Sequence, residues 1–236
     1  MKLLFFMIKG WLKTTLIDYP GEIASIVFTG GCNMRCPMCH NADVVLHPKQ
    51  FPSVPAQEIF NYLDERKGKV TGIVISGGEP TLSLGLEAFL RELRKRPIKI
   101  KLDSNGLRPD LLEHFYSEKL IDYLAMDIKA PPAKYSELCG VDIDMDRIQR
   151  SIDLIRSSGL PYEFRTTIVP CLLLREDIVA IGEWLHGAER YALQQFHPDH
   201  CLNPDFDRLS PYPAKVLEEM KTSVELHFES VVLRGV

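Results

Sequence analysis

Three cysteines fall within eight residues of the sequence, at Cys32, Cys36 and Cys39, in the spacing C-x3-C-x2-C. A short loop that presents three thiolates suits a soft metal ion or an iron–sulfur cluster. A structural zinc site takes four protein ligands, and His40 could supply the fourth, although its adjacency to Cys39 makes joint ligation geometrically awkward. A [4Fe-4S] cube held by three cysteines leaves one iron free for a substrate. The spacing alone leaves both interpretations open.

The other three cysteines, Cys139, Cys171 and Cys201, are isolated in the sequence, and we interpret each as a small buried hydrophobic residue. We expect no signal peptide, because the apolar run from Leu3 to Ile8 spans six residues and no small-residue cleavage site follows it. No segment reaches the roughly 20 apolar residues of a membrane-spanning helix. We therefore expect a cytoplasmic protein with reduced thiols and no membrane partner.

The composition is that of an ordinary globular chain, with 236 residues, of which 45% are apolar and 25% charged. Lys and Arg total 28 against 32 Asp and Glu, which gives a net charge of −4. This balance argues against nucleic acid as a partner, because nucleic acid selects a basic face. We find no repeat and no linker, and we predict a single domain over residues 1–236.

Short β-branched runs alternate with longer amphipathic segments along the chain. The predicted strands are Ile23–Thr29, Val70–Ile75, Ile98–Leu102, Tyr123–Met126, Tyr162–Val169 and Tyr191–Phe196, and a further strand is expected at Ser230–Val236. The predicted helices are Ala56–Lys67, Leu84–Arg96, Pro109–Lys119, Met145–Ser157, Arg175–His186 and Ala214–Ser223. Strands that alternate with helices of this length indicate βαβ units and a parallel sheet. Six such units fall short of the eight of a complete barrel.

Polar residues gather where the predicted strands end. They are Gly77, Gly78 and Glu79 after the second strand, Asp103, Ser104 and Asn105 after the third, Asp127 and Lys129 after the fourth, and His197 after the sixth. Each alone would pass for an ordinary loop residue. Parallel β/α folds place their active sites at the carboxyl ends of the strands, so the coincidence favours a site there.

The cysteine loop after the first predicted strand and Gly-Gly-Glu-Pro after the second together resemble the radical S-adenosylmethionine (radical SAM) enzymes. The sequence departs from the usual pattern at Met38, where the family most often has an aromatic residue. The resemblance implies an α/β fold, a partial (β/α)6 TIM-like barrel of the radical SAM type.

Within that superfamily the chain is similar to the activating enzymes of glycyl radical enzymes. The supporting stretches are Asp18–Gly21, Cys39–Asn41, Asp103–Gly106, Met126–Lys129 and Phe196–Pro198. The stretch Thr14–Gly21 looks like that of the activating protein of anaerobic ribonucleoside-triphosphate reductase. Pyruvate formate-lyase activators usually have glycine where Tyr19 stands.

The resemblance implies a [4Fe-4S] cluster on Cys32, Cys36 and Cys39, with the amino and carboxylate groups of S-adenosylmethionine on the fourth iron. An electron from the cluster would break a carbon–sulfur bond and yield methionine and a 5′-deoxyadenosyl radical. This radical would take a hydrogen atom from a glycine of the partner enzyme. A flavodoxin or ferredoxin-type protein would supply the electron.

The resemblance also assigns Gly77, Gly78 and Glu79 to the methionine moiety of the cofactor. The alternative is a β/α turn whose carboxylate lies at a helix start. Ser104 and Asn105 would hydrogen-bond ribose or carboxylate oxygens, and the alternative for Asn105 is a simple turn with the following glycine.

In relatives, residues placed like Asp103 and Asp127 help to hold a monovalent cation beside the cofactor carboxylate. Lys129 would neutralise that carboxylate, although the two aspartates and Lys129 could equally form a structural ion-pair network. His197 lies where relatives place a histidine near the adenosine, and Arg165 is expected to point into the same site without a clear role.

Asp18 is expected to face the glycine-bearing loop of the partner. Two further enzyme readings are an activator of another glycyl radical enzyme, such as pyruvate formate-lyase, and a radical SAM enzyme that acts on a small molecule. The alternative from a different class of protein is a non-catalytic zinc-binding protein.

Overall fold

The structure, a computed structural model, describes residues 6–236, so the apolar run that begins at Leu3 lies partly outside it. The described residues form two compact units. The first unit comprises residues 6–33, 43–125 and 147–161, and the second comprises 34–42, 126–146 and 162–236. The single domain over 1–236 stays a prediction. Between residues 6 and 236, no helix is both long enough and apolar enough to cross a membrane.

The first unit is built on parallel strands with one antiparallel neighbour. Its strands are β1 (Ile8–Thr15), β2 (Ala24–Thr29), β3 (Gly72–Gly77) and β4 (Lys99–Ser104). Strand β1 pairs antiparallel with β2, whereas β2 with β3 and β3 with β4 pair in parallel. Its helices are α1 (Ala42–Leu46), α2 (Ala56–Glu65), α3 (Leu86–Leu93), α4 (Pro109–Ser117) and α6 (Met145–Ser157), the first and last of which begin at the unit boundary.

The second unit repeats the same β/α alternation. Strands β6 (Tyr162–Ile168), β7 (Ala188–Gln195) and β8 (Phe228–Arg234) pair in parallel, and the helices are α5 (Tyr135–Cys139), α7 (Arg175–Trp184) and α8 (Ala214–Val224). Strand β5 (Tyr123–Asp127) contributes residues to both units. Within each unit, strands that pair with one another are consecutive in the chain. The parallel α/β fold class predicted from the sequence is confirmed.

The main error of the sequence prediction lies at β1, which was not predicted as a strand. Between the buried Ile8 and Thr15 its residues are half-buried or exposed, and it has no pairing partner other than β2 among the described residues. An edge strand of this kind lacks the continuous apolar run that marks a buried parallel strand. The last strand was predicted at Ser230–Val236 and lies at Phe228–Arg234.

The loop between β1 and β2 is fixed by a type II turn. Gly21 has φ +81°, and the amide of Glu22 donates to the carbonyl of Tyr19 at 3.1 Å, with proline at the first central position. The turn directs Tyr19 into the core of the first unit, where its ring meets Tyr123 edge-on at 5.5 Å between centroids. Asp18 is thereby placed near the amino end of β2.

Candidate cofactor site

The glycines after β3 lie against the start of the cysteine loop. The amide of Gly78 donates to the carbonyl of Thr29 at 2.9 Å, and the amide of Glu79 donates to the carbonyl of Gly31 at 2.9 Å. A Cβ atom at Gly78 would lie 2.0 Å from the Gly31 oxygen, and Gly77 has φ +117°. Glycine is therefore required at both positions by the approach of two backbones.

Glu79 joins the carboxyl end of β3 to that of β4. Its side chain is fully buried and accepts hydrogen bonds from the Thr81 amide (3.1 Å), the Thr81 hydroxyl (2.6 Å), the Ser104 hydroxyl (3.1 Å) and the Asn105 amide (2.7 Å). Burial raises the pKa of Glu79, and these donors oppose the rise. The alternative of a carboxylate at a helix start is confirmed, since Glu79 caps the short 3-10 helix Pro80–Leu82. Its contact with a cofactor stays a prediction.

Asn105 contacts the first cysteine. Its side-chain amide donates to Asn33 Oδ1 at 2.8 Å and to Cys32 Sγ at 3.8 Å. Its own Oδ1 accepts from the Leu107 amide at 3.1 Å, which is the geometry of an Asx turn. The turn predicted for Asn105 is therefore present, and it aims a hydrogen-bond donor at Cys32.

Cys36 and Cys39 lie in a tight turn of the second unit, in which the Cys39 amide donates to the Cys36 carbonyl at 3.0 Å. A hydrogen bond from the Cys139 thiol, assisted by the Lys129 ammonium, lowers the pKa of Cys36 to about 7 against the effect of burial. Burial raises the pKa of Cys39. The lowered pKa of Cys36 favours its thiolate, which is the form that ligates metals.

Asp127 lies between two cations. Its Oδ2 is 3.0 Å from Lys129 Nζ, and its Oδ1 is 2.9 Å from Arg165 Nη2. Burial opposes ionisation, but Arg165 and Lys129 hold the pKa of Asp127 well below its usual range. Asp127 in turn raises the pKa of Lys129 against burial. The Asp127–Lys129 part of the ion-pair alternative is present, and Arg165, which had no predicted role, also pairs with Asp127.

Asp103 pairs with a lysine that the sequence analysis missed. Its Oδ1 is 3.0 Å from Nζ of Lys101, whose side chain is 0% exposed. The same ammonium donates to the Asp18 carbonyl at 2.7 Å, while the Asp18 carboxylate accepts from the Thr15 hydroxyl at 2.5 Å. Lys101 and Asp103 are two residues apart on one strand and so share a face. That alternation was the available signal for Lys101.

The segment after β7 covers the cysteine loop. The Leu202 amide donates to the Cys39 carbonyl at 3.1 Å, and the Asn203 amide donates to the Pro37 carbonyl at 2.9 Å. His197 is exposed in this segment. Burial and then the nearby His197 lower the pKa of His40.

The three isolated cysteines differ from one another. Cys139 and Cys201 are buried as predicted. Both lie beside the cysteine loop, since the Arg35 amide donates to the Cys139 carbonyl at 2.7 Å and the amide of Leu202, next to Cys201, donates to the Cys39 carbonyl at 3.1 Å. The prediction is wrong for Cys171, which is exposed. Cys171 follows β6 in a turn with φ +70°, where its side chain cannot reach the core.

The donor chemistry fits a thiolate-bound group, because Cys36 has a lowered pKa and Cys32 receives a side-chain amide. Across residues 6–236, no three cysteine, histidine or carboxylate side chains already lie within metal-binding distance of one another. The ligand set Cys32, Cys36 and Cys39 therefore stays a prediction.

The model of the radical SAM superfamily matches residues 26–185 of the chain. A Methanocaldococcus jannaschii protein described as a glycyl-radical enzyme activating enzyme is 34% identical over 98% of this chain and 96% of its own length. The pyruvate formate-lyase-activating enzyme of Staphylococcus epidermidis is 27% identical over 83% of each chain.

Solved structures share the fold. SuiB of Streptococcus suis bound to its precursor peptide SuiA superposes with a TM-score of 0.65 at 17% identity, covering 89% of this chain and 48% of SuiB. Coproporphyrinogen III oxidase (HemN) of Escherichia coli, a radical SAM enzyme, gives 0.60 at 15% identity, covering 89% of this chain and 53% of that chain. The chain thus spans about half the length of these two structures.

The extent of the match to the superfamily model shows the class: the chain belongs to the radical SAM superfamily, and within it to the family of the Methanocaldococcus jannaschii protein. It is therefore an enzyme of the radical SAM type. The resemblance inferred from the cysteine loop and the Gly-Gly-Glu-Pro motif is confirmed.

Proposed function

We propose that this enzyme generates a glycyl radical on a partner enzyme, and that the partner is anaerobic ribonucleoside-triphosphate reductase. The observation that carries the proposal is the full-length similarity to a protein described as a glycyl-radical enzyme activating enzyme. The stretch Thr14–Gly21 favours the reductase as partner. Tyr19 supports this choice, since it is a buried core residue where pyruvate formate-lyase activators usually have glycine.

Cys32, Cys36 and Cys39 would hold three irons of a [4Fe-4S] cluster, and S-adenosylmethionine would bind beside them. When bound, the cluster and S-adenosylmethionine supply the one-electron chemistry that removes a hydrogen atom from a carbon. The chain's own contribution begins with Cys36, whose pKa is lowered by the Cys139 thiol. Asn105 holds a donor at Cys32 Sγ.

The residues around the loop orient and neutralise the cofactor. Gly77 and Gly78 carry no side chain, so the methionine moiety could approach their backbone closely. Glu79 fixes the position of Ser104 and Asn105. Lys129, held by Asp127, offers a positive charge to the cofactor carboxylate. His197 would lie near the adenosine, and its exposure leaves the ring free to meet a ligand.

Partner recognition is assigned to Asp18, which would face the glycine-bearing loop. A flavodoxin or ferredoxin-type protein would supply electrons. A cytoplasmic location and a single domain over residues 1–236 complete the proposal.

The test is anaerobic reconstitution with iron and sulfide, followed by addition of S-adenosylmethionine and a strong reductant. We expect 5′-deoxyadenosine from the wild type and from Cys171→Ala, whose cysteine is exposed and outside the loop, but none from Cys36→Ala. Metal analysis should give about four irons per chain. One zinc per chain and no cluster would overturn the proposal in favour of the zinc-binding reading.

A second measurement identifies which glycyl radical enzyme is the partner. The loaded enzyme is mixed in turn with anaerobic ribonucleoside-triphosphate reductase and with pyruvate formate-lyase, and the glycyl radical is recorded by electron paramagnetic resonance. A radical on the reductase alone supports the proposal. A radical on pyruvate formate-lyase alone assigns the enzyme to the alternative that its staphylococcal relatives favour. No radical on either protein, with 5′-deoxyadenosine still formed, points to a small-molecule substrate.

A further inference from the structure

We propose that Lys101 is a built-in cation that takes the place of a bound monovalent cation at Asp103. The argument rests on the proposed binding of S-adenosylmethionine at the carboxyl ends of the strands. Asp103 and Asp127 are the two aspartates at which the resemblance implies a monovalent cation.

The first observation is the position of Lys101. Its side chain is 0% exposed, its ammonium is 3.0 Å from the Asp103 carboxylate, and it donates to the Asp18 carbonyl at 2.7 Å. A carboxylate and a backbone carbonyl are the oxygen ligands that a hard cation takes in proteins. The compact ammonium of Lys101 lies within ion-pair distance of the carboxylate and donates to the carbonyl. Lys101 thus supplies the charge that a metal ion would bring to Asp103.

In the second unit, Asp127 already has two cationic partners. Both of its carboxylate oxygens already face cations, Lys129 on one side and Arg165 on the other. A further positive ion would have to displace one of these side chains or sit against their charge. The residues present therefore do not fit a monovalent cation at either aspartate.

The buried ammonium of Lys101 has both an ion-pair partner and a hydrogen-bond acceptor. A lone buried ammonium is strongly disfavoured, but one that is paired and hydrogen-bonded is tolerated. The same contact ties the Asp18 loop to β4, because Lys101 reaches the Asp18 backbone. Lys101 is therefore a positioning residue that sets the charge and orientation of Asp103 and the position of Asp18.

The test compares choline, sodium and potassium chloride at equal ionic strength. The quantities measured are the melting temperature of the protein without cofactor, the line width of the ²³Na resonance, and the affinity of the cluster-loaded enzyme for S-adenosylmethionine. The variant is Lys101→Met. The matched control is Lys99→Met on the same strand, whose lysine is 62% exposed and pairs with Glu22 on the surface.

For the wild type and Lys99→Met we expect the same melting temperature and cofactor affinity in all three salts, and no sodium broadening. Lys101→Met should lose about tenfold or more in cofactor affinity in choline. It should regain part of this loss in sodium or potassium, with broadening of the sodium line.

Two results would overturn the proposal. One is a wild type whose melting temperature or cofactor affinity requires sodium or potassium, a result that stands even if the variant does not fold. The other is a folded Lys101→Met that binds the cofactor like the wild type in choline. If no protein binds S-adenosylmethionine, the proposed function fails, while the melting temperature and the sodium line still test the role of Lys101.

Discussion

The lowered pKa of Cys36 comes from neighbours that are distant in sequence. Cys139 lies about 100 residues further along the chain and follows no recognisable motif, yet its thiol donates to Cys36. Hydrogen bonds to the sulfur ligands of an iron–sulfur cluster raise its reduction potential, because they stabilise the more negative reduced state.

Replacing Cys139 with alanine should therefore lower the reduction potential of the reconstituted cluster. The change removes one thiol donor and leaves the three proposed ligands in place. A redox titration followed by electron paramagnetic resonance measures the potential, and Cys171→Ala is the control because its cysteine is exposed. An unchanged potential in Cys139→Ala would show that the thiol does not act on the cluster.

The stability that Asp127 contributes to the folded protein should depend on pH. Its pKa is lowered in the folded protein, because two cations outweigh the effect of burial. The stability it contributes is therefore fully present above the unfolded value of about 3.9 and is lost as pH falls through the folded pKa. The free-energy difference between wild type and Asp127→Asn should be about 3 kcal/mol near neutral pH and shrink below about pH 4.

Urea unfolding at several pH values measures this difference. Asp110→Asn is the control, because Asp110 forms an ion pair with Arg150 at 2.7 Å but its side chain is 80% exposed. Its effect should stay within about 1 kcal/mol. A difference for Asp127→Asn that does not change with pH would contradict the prediction.

The candidate site residues could be proposed from the sequence because most of them follow strands, and their roles toward a cofactor stay predictions. Their side-chain partners could not be predicted. Lys101 lies within a strand, where a buried charge is unexpected. Arg165 lies on β6, and its bond to Asp127 depends on the position of β6 beside that residue. Side-chain pairing of this kind is set by tertiary packing, which local spacing does not encode.

At the scale of elements, the contact between Gly78 and Gly31 joins the end of β3 to the cysteine loop. We expect Gly78→Ala to lose cluster binding, since a Cβ atom 2.0 Å from a backbone oxygen must push the loop away. The cost in stability should be at least about 1–3 kcal/mol. Iron content after reconstitution and the melting temperature together measure the effect.

Gly68→Ala is the matched control for this substitution. Gly68 has φ +76° but no atom within 4 Å of the added Cβ, so the change costs backbone strain of about 1–2 kcal/mol and leaves the loop in place. It should bind iron normally. Equal iron content in the two variants would show that the Gly78 contact does not position the cysteines.

The sequence predicted secondary structure more fully than it predicted the pairing of side chains. Helix α6 lies at Met145–Ser157, as its apolar period indicates, and the buried parallel strands follow their β-branched runs. Helices α1 and α5 have five residues each, too short for a periodic pattern to emerge from the surrounding sequence.

At the scale of the whole molecule, cluster binding should stabilise the folded chain. A group that binds the native state at a hundred times its dissociation constant adds about 2.7 kcal/mol, or roughly 5–10 °C in melting temperature for a chain of this size. Anaerobic calorimetry of loaded and cluster-free protein measures the shift. Cys36→Ala should show none, and a shift of equal size in that variant would mean that the metal binds elsewhere.

The segment after β7 holds the cysteine loop through main-chain atoms, with amides of residues 202 and 203 bonded to carbonyls of residues 39 and 37. Every amino acid carries that carbonyl, and every one except proline carries that amide. These two hydrogen bonds therefore do not depend on which side chains stand at residues 202 and 203. They do depend on the number of residues in each of the two segments. Substitutions at Leu202 and Asn203, except to proline, should therefore keep these hydrogen bonds, while an insertion or deletion within either segment should break them. Cys39, as a proposed ligand, and the buried Met38 are constrained by their side chains instead.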